Sequence, residues 1–273
     1  MKPLAVRRVR QFQEAVLAHY RAHGRHDLPW RHTNDPYRIL VSELMLQQTQ
    51  VSRVAAKYGP FIERFPDIDS LARAPLRSVL GAWSGLGYNR RALQLRETAR
   101  ILVSRYGGIL PRDYGELRTL PGIGPATAAE IMNFAFGEPC AFIETNIRAA
   151  FIHDFFPGRT KVADAEILPL VERTIDADSP REWFYALMDY GVMLKSAHAN
   201  PSRRSAHHAR QKRFEGSDRQ ARGLIVRALA ERARCERELA EATGLTLARI
   251  RRVLPGLARD GLISRRGARL RIA

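Results

Sequence analysis

The amino-acid sequence predicts a mainly α chain that ends in a small winged helix-turn-helix domain, and three observations carry the prediction. Apolar residues recur at three- and four-residue intervals through most of the first 200 positions, which is the period of a helix with one buried face. No segment before Pro201 sustains the alternate-residue pattern of a strand. From Arg219 the pattern changes to three short helices and two strand-like segments around an arginine-rich, glycine-containing turn.

Residues 6–19 place Val9, Phe12, Ala15 and Val16 on one helical face, and a basic turn follows at 21–25. Leu28-Pro29-Trp30-Arg31 is a rigid apolar turn, after which Asp35-Pro36 starts a helix through Leu40, Leu44 and Met45, with Pro36 suited to its first turn. Glu43 lies inside this helix and, taken alone, reads as a surface carboxylate. The polar run Gln47-Gln48-Thr49-Gln50 reads as a solvated helix end, yet glutamine both donates and accepts and so can reach base edges.

Helices over 51–65 and 68–82 are broken by Pro66 and Pro75. Trp83-Ser84-Gly85-Leu86-Gly87-Tyr88 is a glycine-marked turn, and 89–106 a basic amphipathic helix. Tyr88, beside Arg90 and Arg91, combines an aromatic face with charge that seeks phosphate. A tyrosine so placed either packs under its own loop or stacks on bases.

The chain is organised around 120–148. Leu120-Pro121-Gly122-Ile123-Gly124 precedes a helix with Thr127, Ala128, Ile131, Met132 and Ala135 at helical spacing. Glycines at alternate positions, Gly122 and Gly124, let backbone amides turn outward together at a helix N-terminus, which suits one phosphate. A plain helix-helix connector has the same glycines. Phe142-Ile143-Glu144-Thr145-Asn146 then turns into another helix, and 163–175 and 181–196 continue the helical pattern.

The division predicted is a first domain over 1–196, a basic loop or linker over 197–218 and the winged helix-turn-helix over 219–273. Residues 195–213 hold six basic residues and no acid, and their three histidines lack the matching ligands of a zinc site. In the last segment helices are expected over 220–230, 236–242 and 246–259, with Pro255 kinking or ending the third. Arg249, Arg251 and Arg252 fall on the recognition-helix position and Arg265, Arg266 and Arg269 on the wing; of these Arg249, Arg252 and Arg266 are the candidate DNA contacts. Winged helices also dock proteins.

Charge agrees with a polyanionic partner. The net charge is +17, and from Pro201 onward 19 basic residues face 7 acidic ones, so the last part of the chain carries +12 of it. Basic charge concentrated in this way binds nucleic acid by neutralising phosphates. With 45% hydrophobic residues the chain has ample core for one large domain or two modest ones. Cys140 and Cys235 offer neither a disulfide framework nor a metal-ligand spacing, and no long apolar run or leader pattern is present. A monomer acting with nucleoid DNA in the cytoplasm, with no membrane partner, is the expectation.

Five segments in order, Leu28-Pro29-Trp30-Arg31, Ser42 to Gln50, Gly85-Leu86-Gly87-Tyr88, Leu120 to Gly124 and Met188-Asp189-Tyr190-Gly191, strongly resemble the helix-hairpin-helix base-excision DNA glycosylases, closest to the MutY adenine glycosylase branch. The resemblance covers roughly the first 195 residues. It implies a two-lobed helix-hairpin-helix glycosylase fold, duplex DNA with a mismatched or damaged base as partner, and a target nucleotide flipped into a pocket. By resemblance Glu43 matches the acid that protonates the leaving base, a role in which a carboxyl must hold its proton near neutral pH. Gln48 and Tyr88 match residues that enter the DNA stack, with Gln47 beside them, and Arg31 matches a base-pocket residue.

Three departures qualify what is carried over. Glu144 stands where the family has the aspartate that stabilises or attacks the sugar, with Asn146 as the polar residue nearby. Glu144 is read as a working carboxylate one methylene longer, against a helix-start carboxylate in a catalytically weakened protein. Ala126, at the base pocket, stands where lyase members such as endonuclease III carry the Schiff-base lysine, so a monofunctional enzyme is expected. The four cysteines that hold an iron-sulfur cluster in many relatives have no counterpart, so no cofactor is expected; the hairpin leaves room for a monovalent cation. A winged helix also stands where MutY enzymes carry the domain that recognises 8-oxoguanine. The resemblance therefore implies hydrolysis of the N-glycosidic bond of a mispaired or damaged base, adenine first and another deaminated or damaged base second, with a non-catalytic DNA-structure binder as the contrasting reading.

Overall fold

The computed structural model describes residues 6–208 and 213–273. In chain order its helices are α1 (Val6–His23), α2 (Pro36–Leu46), α3 (Val51–Arg64), α4 (Ile68–Arg73), α5 (Leu76–Trp83), α6 (Arg90–Tyr106), α7 (Tyr114–Thr119), α8 (Pro125–Phe136), α9 (Thr145–Phe155), α10 (Asp164–Thr174), α11 (Pro180–Ala197), α12 (Asp218–Glu231), α13 (Glu236–Thr243) and α14 (Leu247–Arg259), followed by strands β1 (Ile263–Arg266) and β2 (Arg269–Ile272). The mainly α prediction holds, and α7 is the helix that the sequence reading left out.

The chain forms two compact units. One comprises Met1–Ile39, Arg112–Arg118 and Ile123–Arg210, the other Leu40–Pro111, Thr119–Gly122 and Gln211–Ala273. In the first, α9 and α11 pack along each other, α1 and α8 lie on α11, and α10 lies on α9. Phe12 meets Phe151, Phe155 and Trp183 edge-on or tilted at 5.0 to 6.0 Å, and Phe134 stacks on Tyr185 at 4.3 Å. These rings supply much of the unit's apolar burial.

In the second unit α4 and α5 pack on α6, and α3 on α5. The last segment of the chain, Gln211–Ala273, belongs to this unit as well, and α12 packs on α5. Helices α12 to α14 pack on one another and carry the antiparallel hairpin β1-β2, with Ile263 opposite Ile272 and Arg265 opposite Leu270. Three helices and an antiparallel hairpin thus stand where the sequence reading expects the winged helix-turn-helix. Pro255 does not interrupt α14, which runs unbroken from Leu247 to Arg259. Pro255 faces solvent, where water can satisfy the carbonyl that loses its intrahelical donor.

The basic stretch after α11 is partly packed. Pro201–Arg204 forms a 3-10 turn on α9, Arg204 donates to the carbonyls of Ile152 and Phe156 at 3.0 and 2.8 Å, and Pro201, Ser202 and Ser205 are buried. The loop predicted at 197–218 therefore has a fixed first half; positions 209–212 lie outside the described residues.

Candidate active site and nucleic-acid interface

In the first unit the candidate residues gather at the start of α9. Glu144 is the N-cap: its Oε1 accepts from the amides of Asn146 and Ile147 at 2.7 and 2.9 Å, and its Oε2 from the Asn146 side-chain amide at 3.0 Å. Aspartate and serine are the usual caps because their short side chains reach back easily. The extra methylene of Glu144 still closes the same bonds from an extended backbone. Burial raises the Glu144 carboxyl above the usual range, against the two amides and the positive charge of Lys195, which lower it.

Asn146 gives its amide to Glu144, while its Oδ1 is buried with no partner. A buried acceptor left unpaired costs about 1–3 kcal/mol, which a bound donor would recover. Gly191 of α11 fixes the backbone here: a β carbon at Gly191 would stand 2.1 Å from the Asn146 carbonyl oxygen. Arg148, next on α9, makes a two-pronged pair with Asp164 of α10, both bonds at 2.7 Å.

Asp189 and Gly191 come from one motif and work on opposite sides of α11. Asp189 is buried and takes Arg31 bidentately at 2.8 and 2.9 Å, together with the amide and side chain of Arg25. Burial pushes the Asp189 carboxyl up, but Arg31 and Arg25 outweigh it and hold the group below the usual range. The Arg31 guanidinium also lies 4.4 Å from the Tyr185 ring centroid. The pocket residue suggested by the sequence is thus an arginine locked by its charge partner and an aromatic face.

Ala126 sits in the first turn of α8, behind Gly124, which is exposed and extended at the N-cap. Gly124 does not need glycine's conformational freedom, whereas Gly122 does, with φ at +82°.

In the second unit Glu43 is 3% exposed, so the surface reading is overturned. Helix α2 is buried all round from Ile39 to Met45, and Ser42 and Glu43 are its only polar side chains there. The Ser42 hydroxyl donates to Glu43 Oε1 at 3.1 Å. After α2 the Gln47 side chain donates to the Gly122 carbonyl at 3.1 Å, tying the turn to the hairpin.

Gln48 and Tyr88 both hold left-handed backbone conformations, φ +54° and +47°, that non-glycine residues rarely adopt. Both side chains are exposed, Tyr88 to 37%. Arg91 joins the two tips. Its guanidinium donates to the carbonyls of Leu44, Met45 and Gln47, to the Thr49 hydroxyl at 2.9 Å and to the carbonyls of Leu86 and Gly87 at 3.3 and 3.1 Å. Phosphate-seeking charge at Arg91 is therefore ruled out: the residue is 6% exposed, both of its terminal nitrogens are engaged, and burial brings its pKa down to about 10. Sequence reasoning missed this bolt because a charged residue after a polar turn reads as solvated.

The tail arginines fall into two groups. Arg249 donates to the Gly216 carbonyl and pairs with Asp218 at 3.2 Å, and Arg252 pairs with Asp218 at 2.7 Å. Arg266 is exposed on the wing. Among the described residues no group of three or more His, Cys, Asp or Glu could hold a metal ion, and no helix is long and apolar enough to cross a membrane.

Comparison with known proteins places residues 41–186 on the model of the HhH-GPD superfamily base excision DNA repair protein. An adenine DNA glycosylase of Buchnera aphidicola is 38% identical over 187 residues, covering 67% of this chain and 52% of that protein. An adenine DNA glycosylase of Mycolicibacterium smegmatis is 36% identical over 226 residues, covering 77% of each. This chain thus spans about half of the first relative and about three quarters of the second. Among solved structures, a thermostable thymine-DNA glycosylase superposes with a TM-score of 0.61 at 28% identity, over 68% of this chain and 87% of that one.

Proposed function

The chain belongs to the HhH-GPD superfamily of base excision DNA repair proteins, and on that premise we propose that it is a monofunctional DNA glycosylase acting on mispaired adenine in duplex DNA. The N-glycosidic bond breaks with its electron pair on the base, the base leaves protonated, and water adds to the sugar C1′ with loss of a proton that restores the Glu43 carboxyl. Glu43 supplies that proton as general acid. Glu144, ionised, stabilises the positive charge that develops on the sugar. Asn146 holds the water or a sugar hydroxyl through its unpartnered Oδ1.

The single observation that carries the reading is the burial of Glu43 in a stretch of α2 that is apolar but for Ser42 beside it, since a buried carboxylic side chain needs a chemical reason to be there. Ala126 in place of an amine supports hydrolysis without strand cleavage. Gln47, Gln48, Tyr88, Gly122 and Gly124 form the duplex contact, with the amides at the start of α8 on a phosphate. Arg31 lines the base pocket, and Arg249, Arg252 and Arg266 extend the basic surface. No cofactor is required by this chemistry.

Likeness to a thymine-DNA glycosylase supports a second reading, in which the excised base is a mispaired pyrimidine. The deciding experiment incubates the enzyme with a panel of mismatched and lesion-bearing duplexes and then treats them with alkali. Cleavage at adenine supports the first reading and cleavage at thymine or uracil the second. No abasic product from any duplex contradicts both.

A further inference from the structure

Tyr88 is held by two parts of the chain that lie far apart in sequence. Its backbone stands at φ +47°, a conformation that a bulky residue rarely adopts. Bonds from α5 and α6 fix that backbone: the Trp83 indole donates to the Gly87 carbonyl at 3.1 Å and the Arg91 amide to the Tyr88 carbonyl at 2.9 Å. The Arg91 guanidinium also lies over the ring, 5.5 Å from its centre.

The tail of the chain reaches the other end of the side chain. Helix α12 packs on α5, where Arg77 donates to the Ala230 carbonyl, and Arg222 of α12 and Arg90 of α6 share the Asp260 carboxylate. So anchored, α12 brings Arg219 of its first turn to the Tyr88 tip. Arg219 Nη1 donates to the Tyr88 hydroxyl at 2.7 Å, and its guanidinium lies 5.7 Å from the ring centre. The Phe214 ring, also from the tail, lies 5.8 Å from the same guanidinium.

These contacts define the χ angles of a ring that is still 37% exposed. An aromatic side chain that enters a base stack must give up its rotamer freedom, so a ring ordered beforehand enters at a lower entropic cost. A guanidinium suits the task, since it attracts the π face and donates to the hydroxyl at once.

We propose that Arg219 is a positioning residue for Tyr88, through which the tail presets the ring that enters the opened duplex. The inference rests on the reading of Tyr88 as a duplex contact, but not on which base is excised. It gives the tail a part in opening the duplex that is separate from any contact of Arg249, Arg252 or Arg266 with DNA.

The test follows, by stopped flow at saturating protein, the fluorescence of 2-aminopurine placed beside a stable abasic analogue in a duplex. Full-length wild type, Arg219→Ala, Arg219→Lys, Tyr88→Ala and the double alanine variant are compared, and melting temperatures are recorded. Arg219→Ala is expected to slow the fluorescence change about tenfold. Arg219→Lys, which can still donate to the hydroxyl, recovers most of the rate, and Arg219→Ala adds no further loss in the Tyr88→Ala background. An unchanged or faster signal with Arg219→Ala, or a loss that is undiminished in the Tyr88→Ala background, overturns the proposal and leaves Tyr88 as a duplex contact. A signal that Tyr88→Ala leaves intact removes that reading of Tyr88 and the proposal with it. The analogue cannot be excised, so none of these outcomes depends on glycosylase activity.

Discussion

The α carbon of Gly191 lies against the main-chain carbonyl of Asn146, so close that a β carbon would stand 2.1 Å from its oxygen. Gly191 therefore sets how near α11 comes to the start of α9, and with it the position of the Glu144 carboxylate and the Asn146 side chain. Gly191→Ala must push the two helices apart. A shift of about 1 Å at a reacting group costs roughly a hundredfold in rate, so single-turnover excision is expected to fall by about that factor. An unchanged rate would separate the helix contact from the chemistry.

Asp189→Asn tests the other side of the same motif. It leaves Arg31, whose side chain is 5% exposed, without its charge partner. Breaking a buried pair in this way costs about 3–5 kcal/mol, measurable by denaturant titration. Because the Asp189 carboxyl is held low in the folded chain, its contribution is fully present above the ordinary carboxylate value of about 3.9 and is lost as pH falls through the lower folded value. The gap between the two proteins should persist from pH 5 to 8 and close only in strong acid.

Lys195→Met addresses Glu144. Burial raises that carboxyl and the Lys195 charge opposes the rise. If ionised Glu144 is the working form, excision falls as pH drops through its folded value, and removing Lys195 moves this acid limb to higher pH. Single-turnover rates across the acid range check it; an unmoved limb assigns the titration to another group.

Arg91→Met should release the Gln48 and Tyr88 tips from each other. Several buried carbonyls lose their donor at about 1–3 kcal/mol for each group left unsatisfied, and DNA affinity should drop by about tenfold or more. Arg91→Lys rescues little, since a lysine cannot fork to both turns. Thermal melting and anisotropy on one abasic duplex check both effects, and unaltered affinity in a folded Arg91→Met protein would deny the tips a part in binding.

Most helices were legible in the sequence because each has one apolar face at helical spacing, and the tail's three helices and hairpin were legible from its turns. Only α7, a six-residue helix, was passed over. Pro255 misled because proline's cost depends on whether the carbonyl it strands meets water. The motifs placed Glu43, Glu144 and Asn146 on the right elements, but their surroundings depend on contacts distant in sequence. Glu43 looked like a surface carboxylate by residue type, although Ile39 to Met45 with just two polar members already signalled a helix buried all round. Arg91 and Gly191 act through main-chain carbonyls, which no residue pattern records. The Arg219 to Tyr88 bond spans 131 positions and depends on how α12 docks on α5.

The most direct test of the central claim is single-turnover excision from a duplex holding one mispaired adenine, with wild type and Glu43→Gln compared at equal saturation. Glutamine keeps the shape and cannot give up a proton, so abasic product should form with wild type and fall by a factor of about 10²–10⁴ with the variant, while affinity for the duplex is retained. Equal rates in the two proteins would contradict Glu43 as the acid.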